Sequence, residues 1–413
     1  MKKTRKAGRI SNGIYLDYAA STPVAPEVKR VMQPYFSEVF GNPGSLHSFG
    51  QEAIAAVDAA RETIVKAVRA EFREILFTSG ATEANNLALR GVGERALSVS
   101  RTDKPPKMII SAIEHESVLD TAYALEKKNI EVAVLPVDTK GVVDLKKLEM
   151  MLDERIILVS VMYVNNEIGS VQPIDKISEI IRNFRDSKSS PGGESSFGEK
   201  NHNSVFPLFH TDAAQVLEYF ECDAKELGVD LMTLSSQKIY GPKGAGALYV
   251  RSLKPATYSL EPFLTGGGQE FGLRSGTENV PAIAGFGEAV RRAEQGRKEH
   301  VKRIRALKDY FLKGIKKIHP KVQENGVSKA PHILNLYFPE EFAGELLVRM
   351  DMAGIAASAG SACSARSFTP SHVLEALGLP PERVRGSVRF SFGLPTAKKD
   401  IDEALKRIQK LLN

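Results

Sequence analysis

The chain has 413 residues, of which 42% are hydrophobic and 26% are charged, and these proportions are typical of a soluble globular protein. A net charge of +6 is small for this length and gives no reason to expect nucleic-acid binding, and no apolar run approaches the roughly eighteen residues of a membrane span. Two cysteines are too few for the disulfide framework of a secreted protein, so we expect a cytoplasmic protein.

The first part of the chain predicts a tail, a strand and two helices. Residues 1–13 are basic without an apolar core, so they predict a flexible tail rather than a secretory signal. A short strand over residues 14–17 and an amphipathic helix from about Ala25 follow. Apolar residues at helical spacing then predict a long helix over residues 49–70.

From residue 74 the pattern alternates between strands and helices. Helices are predicted from Thr82, from about His115 and over residues 144–152. Alternation of this kind indicates an α/β fold with a mostly parallel sheet covered on both faces. The predicted strands are residues 75–78, 108–111, 131–135, 156–161, 208–211, 230–234 and 245–250.

The remaining segments suggest two domains. Residues 187–203 are rich in Ser, Gly, Asn and charge and have no periodicity, which predicts a mobile, solvated insertion. A long charged helix is predicted from about Phe286, and an amphipathic helix over residues 398–412 ends the chain. We expect a large domain over residues 25–290 and a smaller α+β domain formed by residues 14–24 and 291–413.

Polar residues follow several predicted strands, and ligands bind at the carboxyl ends of the strands of an open parallel sheet. The segment SGATE from Ser79 begins a helix, where free N–H groups form an anion site. His115, Asp212 and Lys238 follow later strands. Singly, His115 and Asp212 could cap helices, and Lys238 could be a solvent-facing lysine in a glycine turn. Together they suit pyridoxal phosphate, which needs a lysine, an acid for its ring nitrogen and phosphate donors.

Seven motifs in chain order resemble a known family, the cysteine desulfurases of the NifS/IscS type within the class V aminotransferase branch of the fold type I enzymes. The motifs are YLDYAA from Tyr15, FTSGATE from Phe77, YVNNEIG from Tyr163, KIYGPKG from Lys238, GGGQE from Gly266, LRSGT from Leu273 and SAGSACS from Ser358. The resemblance implies a pyridoxal-phosphate enzyme that removes sulfur from L-cysteine and releases L-alanine.

The resemblance also implies residue roles. Lys238 would bind the cofactor covalently, Asp212 would pair with its ring nitrogen, and His115 would stack on the ring and assist proton transfer. Thr277 would reach the phosphate of a neighbouring subunit, which implies a homodimer. The implied cofactor contacts are Ala81, Thr82, His115, Asn166, Asp212, Gln215, Ser235, Gln237, Lys238 and Thr277.

The implied substrate contacts are Arg389 and Asn42, because an arginine fork suits the cysteine carboxylate. Taken alone, Arg389 would be interpreted as a surface residue of a strand. Cys363 lies among small residues in a segment of about 356–370 that is expected to move, which favours a reactive thiol, whereas Cys222 is expected to be structural.

The resemblance implies that Cys363 carries the sulfur as a persulfide to an iron–sulfur scaffold protein, to a transfer-RNA thiolation enzyme or to another acceptor. No resident metal is expected, although the family's cysteine can touch a cluster forming on the scaffold. Gln237 stands where the family commonly has histidine, and it can donate to a phosphate but has no titratable proton.

Two other functions stay open. A lyase acting on selenocysteine or another β-substituted amino acid would not need Cys363. A catalytically poor partner protein with the same fold would fit the change at Gln237.

Overall fold

The computed structural model describes residues 13–99, 104–188, 206–251, 260–360 and 370–412. The strands are β1 (Ile14–Tyr15), β2 (Ile75–Thr78), β3 (Lys107–Ser111), β4 (Glu131–Leu135), β5 (Ile156–Ser160), β6 (Leu208–Asp212), β7 (Leu231–Ser235), β8 (Gly246–Val250), β9 (Gln323–Glu324), β10 (Ile333–Tyr337), β11 (Ile355–Ala356) and β12 (Ser387–Ser391).

The α-helices are α1 (Pro26–Met32), α2 (Ser48–Val68), α3 (Ala81–Val99), α4 (Glu116–Glu126), α5 (Leu145–Met151), α6 (Ile174–Lys188), α7 (Ala224–Leu227), α8 (Val280–Ile318), α9 (Ala343–Met352), α10 (His372–Ala376), α11 (Pro381–Arg385) and α12 (Lys398–Leu412). Short 3-10 segments cover Gln33–Phe36, Phe72–Glu74, Ser236–Lys238 and Glu270–Gly272.

The chain divides into two compact units. The large unit comprises Thr22–Asn165 and Ser170–Lys298, and the small unit comprises Met1–Ser21, Asn166–Gly169 and Glu299–Asn413. One of the boundaries between them, after Lys298, falls within α8.

The large unit is built on a seven-stranded sheet in the order β2-β8-β7-β6-β5-β3-β4. All seven predicted strands are present, with bounds within one residue of the prediction, so the α/β fold with a mostly parallel sheet is confirmed. Strands β2, β5, β6, β7 and β8 are buried along their whole length, as expected where helices cover both faces of a sheet.

Strand β8 alone runs against the others, pairing antiparallel with both β7 and β2. The connection from β7 is too short for the crossover helix that a parallel neighbour requires. It instead returns through a loop in which Gly244 adopts φ +82°, a conformation that favours glycine.

Several predicted boundaries differ from the structure: the strand predicted over residues 14–17 ends at Tyr15, and the helix predicted over residues 49–70 ends at Val68. Helix α8 begins at Val280 rather than near Phe286, because Asn279 accepts a hydrogen bond from the Ala282 N–H at 3.2 Å and Pro281 suits a first turn. Helix α6 continues to Lys188, so the first two residues of the predicted insertion are helical. The rest of that insertion lies outside the described residues, as does the predicted basic tail except for Gly13.

The small unit contains an antiparallel sheet in the order β12-β10-β9 and a parallel pair formed by β1 and β11. Helices α9 to α12 belong to it. Aromatic rings form part of its core: Phe311 lies 4.9 Å from Phe390 and 5.4 Å from Phe392 between ring centroids. In the described ranges, no helix combines the length and the apolar character that a bilayer crossing requires.

Candidate active site

Four strands of the large unit that run in the same direction end in predicted site residues. Helix α3 begins with Ala81 and Thr82 soon after β2, and His115 follows β3. Asp212 is the last residue of β6, and Lys238 follows β7. These residues therefore share one edge of the sheet, as the sequence predicts.

The start of α3 has the features of an anion cradle. Gly80 has φ +152°, and the position that a Cβ would occupy there has no heavy atom within 4 Å. Glu83 accepts from the Ser79 N–H at 2.8 Å and pairs with Arg274 at 2.7 Å. Burial alone would raise the pKa of Glu83, but hydrogen bonds from Arg274 and Ser79 hold this pKa below its ordinary value. The positive charge of Arg274 therefore offsets the negative charge of Glu83, which would otherwise repel an anion.

Asp212 is buried, with 5% of its surface exposed, and both carboxylate oxygens have donors. Oδ1 accepts from the Ala214 N–H at 2.9 Å, and Oδ2 accepts from the Asn85 side-chain amide at 2.8 Å. The bond to Ala214 belongs to a turn, so the helix-capping alternative for Asp212 is not observed. Two donors of this kind orient the carboxylate at the end of β6.

His115 is the N-cap of α4, so its capping alternative is confirmed. Its Nδ1 accepts from the Ser117 N–H at 3.1 Å and lies 2.9 Å from the Ser117 hydroxyl. The same hydroxyl lies 2.8 Å from the Asn85 amide nitrogen. A continuous chain of hydrogen bonds therefore joins His115 to Asp212.

Lys238 ends the 3-10 segment Ser236–Lys238 and is partly buried rather than solvent-facing. Thr22, which is distant in the sequence, stabilises this turn by hydrogen bonds. Its hydroxyl donates to the Gln237 carbonyl at 2.9 Å and accepts from the Tyr240 N–H at 2.8 Å, and its own N–H donates to the Gln237 carbonyl at 3.1 Å. Tyr240 has φ +65°, a conformation that costs free energy for a residue other than glycine.

Two buried titratable groups stand beside these residues. Burial, with a smaller contribution from the charge of Asp212, raises the pKa of Glu114 to about 8. Burial lowers the pKa of His210 to about 4, and its ring nitrogens lie 2.8 Å from the Ser160 hydroxyl and 3.1 Å from that of Thr233. His210 is therefore neutral near pH 7 and joins three neighbouring strands of the sheet.

Arg389 and Asn166 belong to the small unit and contact each other. Arg389 is only 1% exposed, so the interpretation as a surface residue is wrong. Its guanidinium donates to the Asn166 carbonyl at 2.9 Å and to Asp17 at 2.7 Å, and its Nε–H has no acceptor in the described part of the chain. One donor of the Arg389 guanidinium is therefore left without an acceptor among the described residues.

The residues on either side of Cys363 are anchored in the small unit. Ser358 and Arg389 exchange backbone hydrogen bonds of 3.1 and 2.6 Å. On the other side, Ser371 caps α10 and donates to Glu167 at 2.5 Å. Cys363 itself, within residues 361–369, lies outside the described residues.

The other predicted residues are less closely connected. Asn42 and Thr277 are exposed, and no hydrogen bond joins them to other predicted site residues across the described ranges. Ser235 and Gln215 are buried. Cys222 is buried, and burial raises the pKa of its thiol to about 12, so its structural interpretation is confirmed. No set of three or more His, Cys, Asp or Glu suited to a metal ion occurs among the described residues.

Sequence reasoning assigned no role to Asn85, Ser117, Thr22 and Glu114. For Asn85 a signal exists, because at helical spacing it shares a face of α3 with Ala88, Leu89 and Val92, which are buried with it. A polar residue on the buried face of a helix needs partners there. The identity of those partners is not encoded locally, since Asp212 is 127 residues away.

Comparisons with known proteins agree with this geometry. The profile of the aminotransferase class-V family matches residues 14–188 and 195–404. The chain is similar to the cysteine desulfurase IscS of Dictyoglomus turgidum, with 39% identity over 97% of this chain and 94% of that protein. It is 42% identical to the cysteine desulfurase IscS of Pectobacterium carotovorum, over 96% of this chain and 92% of the relative.

A solved structure described as a NifS-like protein matches with a TM-score of 0.84 and 31% identity, over 97% of this chain and 99% of that one. The likeness therefore covers nearly the whole length in both sequence and fold, and it confirms the fold type I architecture.

Proposed function

This chain belongs to the aminotransferase class-V family and is a pyridoxal-phosphate-dependent cysteine desulfurase, and we propose the following roles for its residues. The observation that supports these roles best is the shared sheet edge: an anion cradle at α3, the oriented carboxylate of Asp212 and the partly buried Lys238 follow strands of one direction. The large unit is the proposed cofactor-binding domain.

The residues of this edge fit pyridoxal phosphate. The open space beside Gly80 and the first turn of α3 suit a phosphate, which Ala81 and Thr82 would hold together with Ser235 and Gln237. Asp212 would keep the ring nitrogen protonated, and Asn166 and Gln215 would hold the ring hydroxyl. When bound, the cofactor draws electrons away from the substrate α-carbon.

Lys238 and His115 are the proposed proton carriers at this edge. Lys238 would bind the cofactor covalently, and its free amine would be able to take a proton from the substrate α-carbon. His115 would stack on the ring and assist proton transfer. Gln237, in place of histidine, donates a hydrogen bond without changing charge.

L-Cysteine is the proposed substrate, and Arg389 with Asn42 would bind its carboxylate. Arg389 supports this role because it is buried and has an unused Nε–H donor in the described part of the chain. A guanidinium that is desolvated in this way binds a carboxylate more strongly than an exposed one does.

Cys363 is the proposed sulfur acceptor. Its thiolate attacks the substrate sulfur, an S–S bond forms, and the substrate Cβ–S bond breaks. The electron pair of the broken bond stays on the carbon, which takes up a proton and becomes the methyl group of L-alanine. The persulfide then passes its outer sulfur to an iron–sulfur scaffold protein, with transfer-RNA thiolation as a further use.

We also propose a homodimer in the cytoplasm. The exposed position of Thr277 fits a role toward the cofactor phosphate of a second subunit, and two cysteines in 413 residues fit a reducing compartment. The lyase and the catalytically poor partner protein are not favoured, because the relatives reported above are cysteine desulfurases of nearly the same length.

The two cysteines provide a matched test of the sulfur acceptor. The holoenzyme is incubated with L-cysteine, alanine is measured, and peptide mass spectrometry locates any added sulfur that a reductant removes. We expect a persulfide on Cys363, loss of at least about 99% of turnover in Cys363→Ser, and retained turnover in Cys222→Ala, because only the first residue is a nucleophile. Full turnover in Cys363→Ser would exclude the proposed sulfur transfer.

Lys238 is tested separately by borohydride treatment of the holoenzyme, which fixes a lysine-bound cofactor for peptide mapping. The cofactor is expected on Lys238, and Lys238→Ala is expected to lose at least about 1,000-fold in turnover, because both covalent binding and proton transfer depend on the amine. A cofactor fixed to a different lysine would refute this assignment.

A further inference from the structure

We infer that Asn85 is a positioning residue that orients Asp212 and, through the hydroxyl of Ser117, reinforces the protonation of His115 on Nε2, which the Ser117 backbone N–H also favours. The catalytic importance of the two end residues rests on the proposed function. The hydrogen-bond chain itself rests on distances within the large unit: Asp212 to Asn85 is 2.8 Å, Asn85 to Ser117 is 2.8 Å, and Ser117 to His115 is 2.9 Å.

Asp212 determines which groups donate and which accept along this series of hydrogen bonds. A carboxylate can only accept hydrogen bonds, so the group of Asn85 that faces it must be the amide nitrogen. The same nitrogen lies against the Ser117 hydroxyl. Its two hydrogens are therefore both used, one toward Asp212 and one toward Ser117.

Because Ser117 accepts from Asn85, its hydroxyl donates to His115. Its oxygen accepts from Asn85, and its single hydroxyl proton is then left for Nδ1 of His115. The Ser117 backbone N–H also donates to Nδ1 at 3.1 Å. Nδ1 therefore carries no proton, and neutral His115 holds its proton on Nε2. A carboxylate oxygen of Glu116 lies 3.5 Å from Nε2, which agrees with a proton there.

The environment makes this arrangement rigid. Asn85 is fully buried on α3, and its Oδ1 has no hydrogen-bond partner in the described part of the chain. An unpaired buried acceptor costs folding free energy. The favourable contribution of the Asn85 amide therefore comes from the two hydrogen bonds that its nitrogen donates. Away from water these bonds are strong, and they reinforce one another along the chain.

The hydrogen-bond chain affects the residues at both of its ends, His115 and Asp212. Nδ1 of His115 can take a proton only if it gives up the bonds from both the Ser117 hydroxyl and the Ser117 N–H, and Asn85 opposes the loss of the first. His115 therefore offers Nε2–H, and Asp212 keeps a fixed carboxylate orientation at the sheet edge. The buried amide of Asn85 thus acts on both Asp212, the proposed partner of the ring nitrogen, and His115, the proposed ring-stacking residue.

The test uses the full-length protein with 15N-labelled histidine, first without and then with pyridoxal phosphate. The imidazole 15N shifts of His115, assigned by comparison with His115→Gln, report the tautomer. We expect Nε2–H in the wild type. We expect the Nδ1–H population to rise at least about fivefold in Asn85→Leu, together with an at least about tenfold weaker cofactor affinity, because both ends of the chain are released.

Ser117→Ala separates the two ends and covers the case in which Asn85→Leu does not fold. It should raise the Nδ1–H population of His115, although the backbone N–H of residue 117 still favours Nε2–H, while cofactor affinity stays within about threefold of the wild type, since the bond from Asn85 to Asp212 remains. Thr121→Val is the matched control: it removes a buried hydroxyl bond to the Ser117 carbonyl (2.8 Å) in the same helix and should change neither quantity.

An unchanged His115 tautomer in both Asn85→Leu and Ser117→Ala would overturn the inference, as would Nδ1–H in the wild type. The tautomer is read without cofactor or cysteine, so its result is independent of the proposed function. A wild-type protein that releases no alanine from cysteine would contradict the proposed function and leave the hydrogen-bond chain standing.

Discussion

Glu114 is a carboxyl group with no exposed surface, and it accepts from the Ser111 hydroxyl at 2.5 Å and from the Met162 N–H at 2.7 Å. Burial, with a further contribution from the charge of Asp212, raises its pKa to about 8. Near neutral pH the side chain is therefore mostly protonated. A neutral group here avoids placing a second full negative charge beside Asp212.

This pKa makes stability depend on pH. Between the ordinary carboxyl value and about pH 8, folded Glu114 holds a proton that the unfolded chain has lost, so its contribution to stability falls as pH rises through that window. Glu114→Gln mimics the protonated form and should remove this dependence. We expect the free energy of unfolding of the variant, relative to the wild type, to rise by roughly 2 kcal/mol from about pH 6 to pH 8 in urea titrations. Parallel pH profiles would contradict this.

The turn that carries Lys238 shows how an element is held by a distant residue. The 3-10 segment Ser236–Lys238 has no side-chain cap of its own, and the left-handed Tyr240 follows it. Thr22 satisfies the Gln237 carbonyl and the Tyr240 N–H together. The turn is therefore stabilised by residue 22 as well as by its own sequence.

Thr22→Val keeps the shape of the side chain but removes the hydroxyl, leaving the Tyr240 N–H without this acceptor. We expect a loss of about 1–3 kcal/mol in the free energy of unfolding and faster release of the cofactor from Lys238. Thr22→Ser retains the hydroxyl and serves as the control, with most of both quantities preserved. Equal stability of the valine and serine variants would show that the hydroxyl bonds do not hold the turn.

At the scale of the whole molecule, the proposed homodimer can be tested by mixing variants. If Thr277 serves the neighbouring subunit, a chain with Lys238→Ala supplies an intact Thr277 to the site of a chain with Thr277→Ala. Mixed dimers should then contain one site of wild-type cofactor affinity, whereas Thr277→Ala alone should bind about tenfold more weakly, through loss of a phosphate hydrogen bond. No recovery on mixing would mean that Thr277 serves its own subunit or none.

The sheet was predictable because buried strands appear as short apolar runs between turns and helices, and all seven are found within a residue of their predicted bounds. The start of α8 was missed because the signal at Asn279 and Pro281 is local capping chemistry rather than periodicity. The direction of β8 was not predicted, although the predicted strand bounds leave only residues 235–244 between β7 and β8, which is too short for the crossover of a parallel pair.

Residue order alone placed Lys238, Asp212 and His115 at one sheet edge, because the ends of parallel strands converge whatever the details of packing. The sequence also indicated the family and hence the chemistry of Cys363. Only the tertiary structure decided that Asn85 joins Asp212 to Ser117 and that Thr22 braces the turn of Lys238. These contacts join residues far apart in the chain, and hydrogen bonds of 2.8–2.9 Å depend on helix packing that no local pattern specifies.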